Sequence, residues 1–84
     1  MASTTEIRTM AADVLAQDQR GSLLGALGKV ILDSAAETSI VGMIALQQEV
    51  LVELAGEIGV DAIGWAAGRP VEQVIAALRG EASS

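Results

Sequence analysis

The sequence has no histidine, cysteine, phenylalanine or tyrosine, and only one proline and one tryptophan, Pro70 and Trp65. Each absence excludes something. Without histidine the commonest general base is missing, so acid–base chemistry would fall to carboxylates held in a pocket. Without cysteine there is no disulfide framework and no thiolate nucleophile or metal ligand. Asp13, Asp18 and Asp33 are scattered along the chain and read as solvated, and no Gly-Lys-Ser or Gly-Lys-Thr closes a phosphate loop. We therefore expect no enzyme, no cofactor and no metal. With 51% of residues hydrophobic and 1% aromatic, the core must be built from Ala, Leu, Ile and Val. Such a core favours helices that approach closely.

The 84 residues make one domain, 1–84, with frayed ends at 1–3 and 81–84. A domain this small buries a modest share of its unfolded surface. Its high apolar content then points to self-association as the way to cover what is left. The net charge of −6 disfavours contact with phosphate backbones and suits a solvated surface or a basic protein partner. The first residues, Met1 to Glu6, lack a basic start followed by an apolar stretch, so no signal peptide is expected. The longest uncharged stretch, Thr38 to Gln48, is about eleven residues against the ~20 a bilayer span needs. The expected setting is the cytoplasm, with no membrane partner.

Helix signals fill the chain. Ser3 with Glu6 forms a capping box, and Ile7, Met10, Ala11, Val14 and Leu15 recur at helical spacing up to a stop at Gly21. Arg8, Thr9, Asp13 and Gln17 fall elsewhere on that wheel. Ser22 caps a second helix carrying Leu23, Leu24, Leu27, Val30 and Ile31, with Lys29 and Asp33 four apart on its outer face. Residues 34–39 are ambiguous. They fit a break recapped at Ser34 with Glu37, or at Thr38 or Ser39, or a helix running straight through, and a kink or short break is expected. Asp61 caps a short helix closed by Gly68. Pro70 opens the last helix, whose buried face is Val71, Val74, Ile75 and Leu78 and which stops at Gly80. No repeat or strand pattern interrupts this series. The expected fold is all-α, a compact bundle of four or five helices that pairs as a dimer.

The segment from Ile40 to Ile58 is apolar on most sides and reads as the central helix, buried on two seams. One seam is Val41, Ile44, Gln48, Leu51, Ala55 and Ile58. The other is Met43, Leu46, Val50 and Leu54. Gly42 and Gly56 inside it imply close helix approach, because each costs about 0.8–1 kcal/mol relative to Ala. Gly25 and Gly28 in the second helix fit close packing or an irregular helix equally. Glu49, Glu53 and Glu57 form an acidic stripe along one edge, with no Lys or Arg within a turn on that helix. Three readings fit the stripe: a solvated face, internal compensation by Arg69 and Arg79, or a basic partner protein.

Leu54-Ala55-Gly56-Glu57-Ile58-Gly59-Val60-Asp61-Ala62-Ile63 resembles the helix-turn-helix family. Ala55, Gly59 and Val60 match its small residue, turn glycine and following apolar residue, Ile58 fits the buried site before the turn, and Trp65 takes the buried site of the second helix. The resemblance covers residues 51–68 and implies a DNA-binding transcriptional regulator. The chain departs from the family where bases are read. The candidate reading segment, Asp61 to Ala67, has no long polar donor, and Arg69 is the only nearby cation.

The function expected from these residues is therefore non-enzymatic: a self-associating helical regulator, adaptor or assembly factor that binds itself and another protein. The candidate contact residues are the seam of Met43, Leu46 and Val50, the stripe of Glu49, Glu53 and Glu57, and Trp65 if exposed. Arg69 is the DNA-contact candidate of the helix-turn-helix alternative.

Overall fold

A computed structural model of the chain describes residues 3–34 and 39–80. Five helices follow in order: α1 (Thr4–Gln17), α2 (Leu23–Asp33), α3 (Ile40–Ile58), α4 (Ala62–Ala67) and α5 (Val71–Leu78). There is no strand among the described residues. The radius of gyration, 11.7 Å, matches the ~12 Å expected of a packed chain of this length.

Local signals start the helices where the residues imply. The Ser3, Ser22 and Asp61 side chains accept hydrogen bonds from the backbone N–H groups of Glu6, Gly25 and Gly64. Each thereby satisfies one orphan donor of a first helical turn. Helix α2 ends at Asp33 and α3 starts anew at Ile40. Ser39 stands in extended backbone and accepts from the Gly42 N–H at 2.9 Å, so it is the recapping residue. Glu37 and Thr38 lie outside the described residues. Gly59 ends α3 with φ 82°, and Gly80 follows α5 with φ 80°, left-handed conformations that cost glycine nothing. Pro70 precedes the first residue of α5 rather than occupying it, a shift of one position.

Gly21 does not end α1. The helix stops at Gln17, and Asp18 takes over the turn: its N–H donates to the Val14 carbonyl while its carboxylate accepts from the Arg20 N–H. A short acidic side chain offers the backbone this alternative to another helical turn.

The central helix is α1, not α3. It lies between α2 and α5 and also meets α3. Its buried face is Ile7, Arg8, Ala11, Ala12 and Leu15, turned by most of a residue from the apolar repeat in the sequence. Ala12 lies inside and Met10 outside. The alanines decide this. Ala11, Ala12, Ala26, Ala62 and Ala77 are all core residues, and small side chains at these points let the helices close around Leu15, Leu27, Ile31, Leu54 and Leu78.

Helix α3 is buried on one side only. Val50, Leu51 and Leu54 are buried, and Met43, Leu46 and Ile58 pack against the core. Val41, Ile44 and Val52 are 79%, 53% and 68% exposed. Gly56 is exposed, and a Cβ there would meet nothing within 4 Å, so it is not a close-approach device. A Cβ on Gly28 would meet only the Gln47 amide, at 4.0 Å; one on Gly25 would press on the Ser22 hydroxyl at 3.1 Å. The tight contact in α2 is thus with its own cap, not with another helix.

Candidate functional site

The acidic stripe finds its counter-charge on α1. Arg8 is 6% exposed, yet every one of its five N–H groups is engaged. Its Nε donates to the Leu78 carbonyl at 3.2 Å, and Nη2 donates to the Ala77 carbonyl at 2.8 Å and to Glu57 Oε1 at 2.8 Å. Nη1 donates to Glu53 Oε1 at 2.8 Å and to Glu57 Oε2. The Thr4 hydroxyl donates to the other Glu53 oxygen at 2.9 Å.

Three jobs meet in that one side chain. The fork matches the Glu57 carboxylate with two bonds. It reaches two carbonyls of the last turn of α5, that of Leu78 and that of Ala77, which also accepts from the Gly80 N–H, at a helix end where a cation suits the dipole. And it ties α1, α3 and α5 together across the core edge. The charges respond accordingly. The Arg8 guanidinium is held further above its ordinary value, chiefly by its hydrogen bond to Glu57 and against the pull of burial. The Glu57 and Glu53 carboxyls are both held below their ordinary value, first by the Arg8 hydrogen bonds, with Thr4 helping at Glu53.

Arg69 and Arg79 do not compensate the stripe. Arg79 pairs with Asp13 at 3.2 Å. The Arg69 guanidinium lies over the Trp65 ring, 5.0 Å from its centre, a cation–π contact. Trp65 itself is half-buried against the core. Of the stripe, Glu49 alone has no ion pair among the described residues.

The expected contact seam of Met43, Leu46 and Val50 turns inward. Val50 is fully buried and the other two pack on the core, so that seam offers no continuous surface. The other seam divides: Val41, Ile44 and Gln48 face out, whereas Leu51 is buried and Ile58 packs on the core. Val41, Ile44, Gln48 and Val52, with Ala45 beside them and the half-buried Ala55 beyond, fall within about 100° of the helix circumference at 3.6 residues per turn. Ile40 and Leu32 are exposed as well.

Only part of this surface was legible in the sequence: Val41, Ile44, Gln48 and Ala55 belonged to one seam, Val52 to neither, because periodicity says which residues share a stripe and not which of them the rest of the chain covers. Arg8 was detectable in principle. Positions 8, 11, 12 and 15 share one helix face, and an arginine there, opposite carboxylates four apart, is the signal.

At the helix-turn-helix positions, α3 is followed by left-handed Gly59 and by α4, capped at Asp61. Helix α4 has six residues, and of its side chains Ile63 is the large exposed one. The described residues contain no cluster of acidic side chains able to hold a metal, and no helix among them is long and apolar enough to cross a membrane. No protein-family model matches this chain, and neither the curated proteins nor the solved structures include a significant match to it.

Proposed function

We propose that this chain is a non-enzymatic interaction module that pairs with a second copy of itself through the outer face of α3, as part of a small regulator, adaptor or assembly factor. The observation that carries this reading is the uncovered apolar stripe of Val41, Ile44 and Val52. Contiguous apolar surface of this kind marks contact sites. A second copy suits it for a geometric reason. The positions 41, 44, 48, 52 and 55 are spaced three, four, four and three, symmetric about Gln48. An isologous contact requires a patch complementary to itself. The Gln48 amide both donates and accepts, so it can bond its twin across a two-fold axis, with apolar residues on either side.

Charge sets the salt dependence. Two chains of net charge −6 repel, and the uncompensated Glu49 borders the stripe, so salt tightens the pairing by screening. Capture of a basic partner by the acidic stripe would weaken with salt instead. Sedimentation across a concentration series at low and high salt tests the reading. A dimer that tightens with salt, and that Ile44→Glu returns to monomer with its helical circular dichroism intact, supports it. A chain that stays monomeric at every concentration and salt overturns it.

A second reading, a helix-turn-helix DNA-binding regulator, draws support from left-handed Gly59 and the Asp61 cap at the matching positions. It requires a gel shift that falls steeply with salt.

A further inference from the structure

A groove of about 340 Å³ opens between the α1–α2 turn and the α4–α5 segment. Its volume lies at the small end of the roughly 300–1,000 Å³ range typical of small-ligand sites. Leu15, Leu24, Ile63 and Val74 make its apolar walls, and Arg20 and Arg69 line it too. Helix α3 contributes nothing to it, so the groove is separate from the stripe.

The charge distribution is unlike that of the rest of the molecule. The sequence has five cationic residues against eleven acidic ones. Arg8 and Arg79 are spent on carboxylates of the chain itself. Arg20, Lys29 and Arg69 have no carboxylate ion pair among the described residues, and two of these three, Arg20 and Arg69, line this one groove, where no Asp or Glu is present. Stacking on Trp65 restrains the Arg69 guanidinium without consuming its N–H donors. Gln19 and Ser22 add neutral hydrogen-bonding groups at the same lining. An aliphatic trough with two unspent guanidiniums suits a ligand with a greasy body and one anionic end, because a carboxylate meets Arg in charge-assisted, two-pronged bonds.

We propose that this groove binds a small aliphatic carboxylate, its chain against Leu15, Leu24, Ile63 and Val74 and its head group between Arg20 and Arg69. Trp65 is the only tryptophan, and its emission reports the groove through Arg69. The test uses three probes of matched length, below their micelle-forming concentrations: octanoate, octanol and octylammonium.

Saturable one-to-one binding of octanoate, at least about tenfold tighter than octanol and with no octylammonium binding, is the expected result. Arg20→Gln leaves the Trp65 stack in place and should lower octanoate affinity about tenfold while leaving octanol unchanged. Nitrogen–proton NMR shifts should concentrate in residues 19–24 and 63–74. Equal affinity for octanoate and octanol, an Arg20→Gln variant that binds octanoate as before, or no saturable binding of octanoate overturns the proposal.

Discussion

The two ends of α3 are both rich in aliphatic residues and differ in circumstance. Towards its C-terminus the helix is held on both chemical counts: Val50, Leu51 and Leu54 enter the core, and Glu53 and Glu57 close on Arg8. Towards its N-terminus Ile40, Val41 and Ile44 face outward. Aliphatic residues run the length of the helix. What differs is the cover, because α1 and α5 meet at Arg8 beside the C-terminal half. An apolar residue in this small bundle is core only where a second helix reaches it; elsewhere the same residue is surface available for contact.

The contrast breaks most forcefully at Arg8. Arg8→Ala should lower folding stability by about 2–4 kcal/mol in urea titration, because it takes the donor from the Leu78 carbonyl and leaves the Glu53 and Glu57 carboxylates without their counter-charge. Val41→Ala, an aliphatic truncation in the N-terminal half, should change the stability of the monomer by no more than about 0.5 kcal/mol. Equal losses at the two sites would mean that the two ends of α3 are not differently held.

Acid should repeat the Arg8 effect by titration. The Glu53 and Glu57 carboxyls sit below their ordinary value of 4.5 in the folded chain. Their contribution is therefore fully present above that value and is lost as pH falls through the lower folded values. Urea midpoints should hold steady from neutral pH to about 5 and fall below about 4.5, where the unfolded carboxylates begin to take up protons. Glu53→Gln with Glu57→Gln should flatten that fall. An unchanged acid limb in the double variant would assign it to other carboxyls.

The smallest effects separate two glycines three residues apart. Gly59→Ala places a Cβ at φ 82° and should cost about 1 kcal/mol. Gly56→Ala meets open space on a helix and should gain about 0.8 kcal/mol from helix propensity. A loss at Gly56 would show that something covers it in solution, as a partner over that flank of α3 would.

The residues themselves determined the all-α class, the caps at Ser3, Ser22 and Asp61, the glycine ends at Gly59 and Gly80, and the existence of two seams on α3. Those signals act within about one helical turn, so they survive without knowledge of the rest of the chain. The tertiary structure alone decided which residues of the α3 seams are covered, which face of α1 is buried, and that Arg8 answers Glu53, Glu57 and the end of α5. Those contacts join residues 45 to 70 apart in the chain. Their outcome depends on how neighbouring helices divide a limited amount of cover, and short-range spacing carries no record of that division.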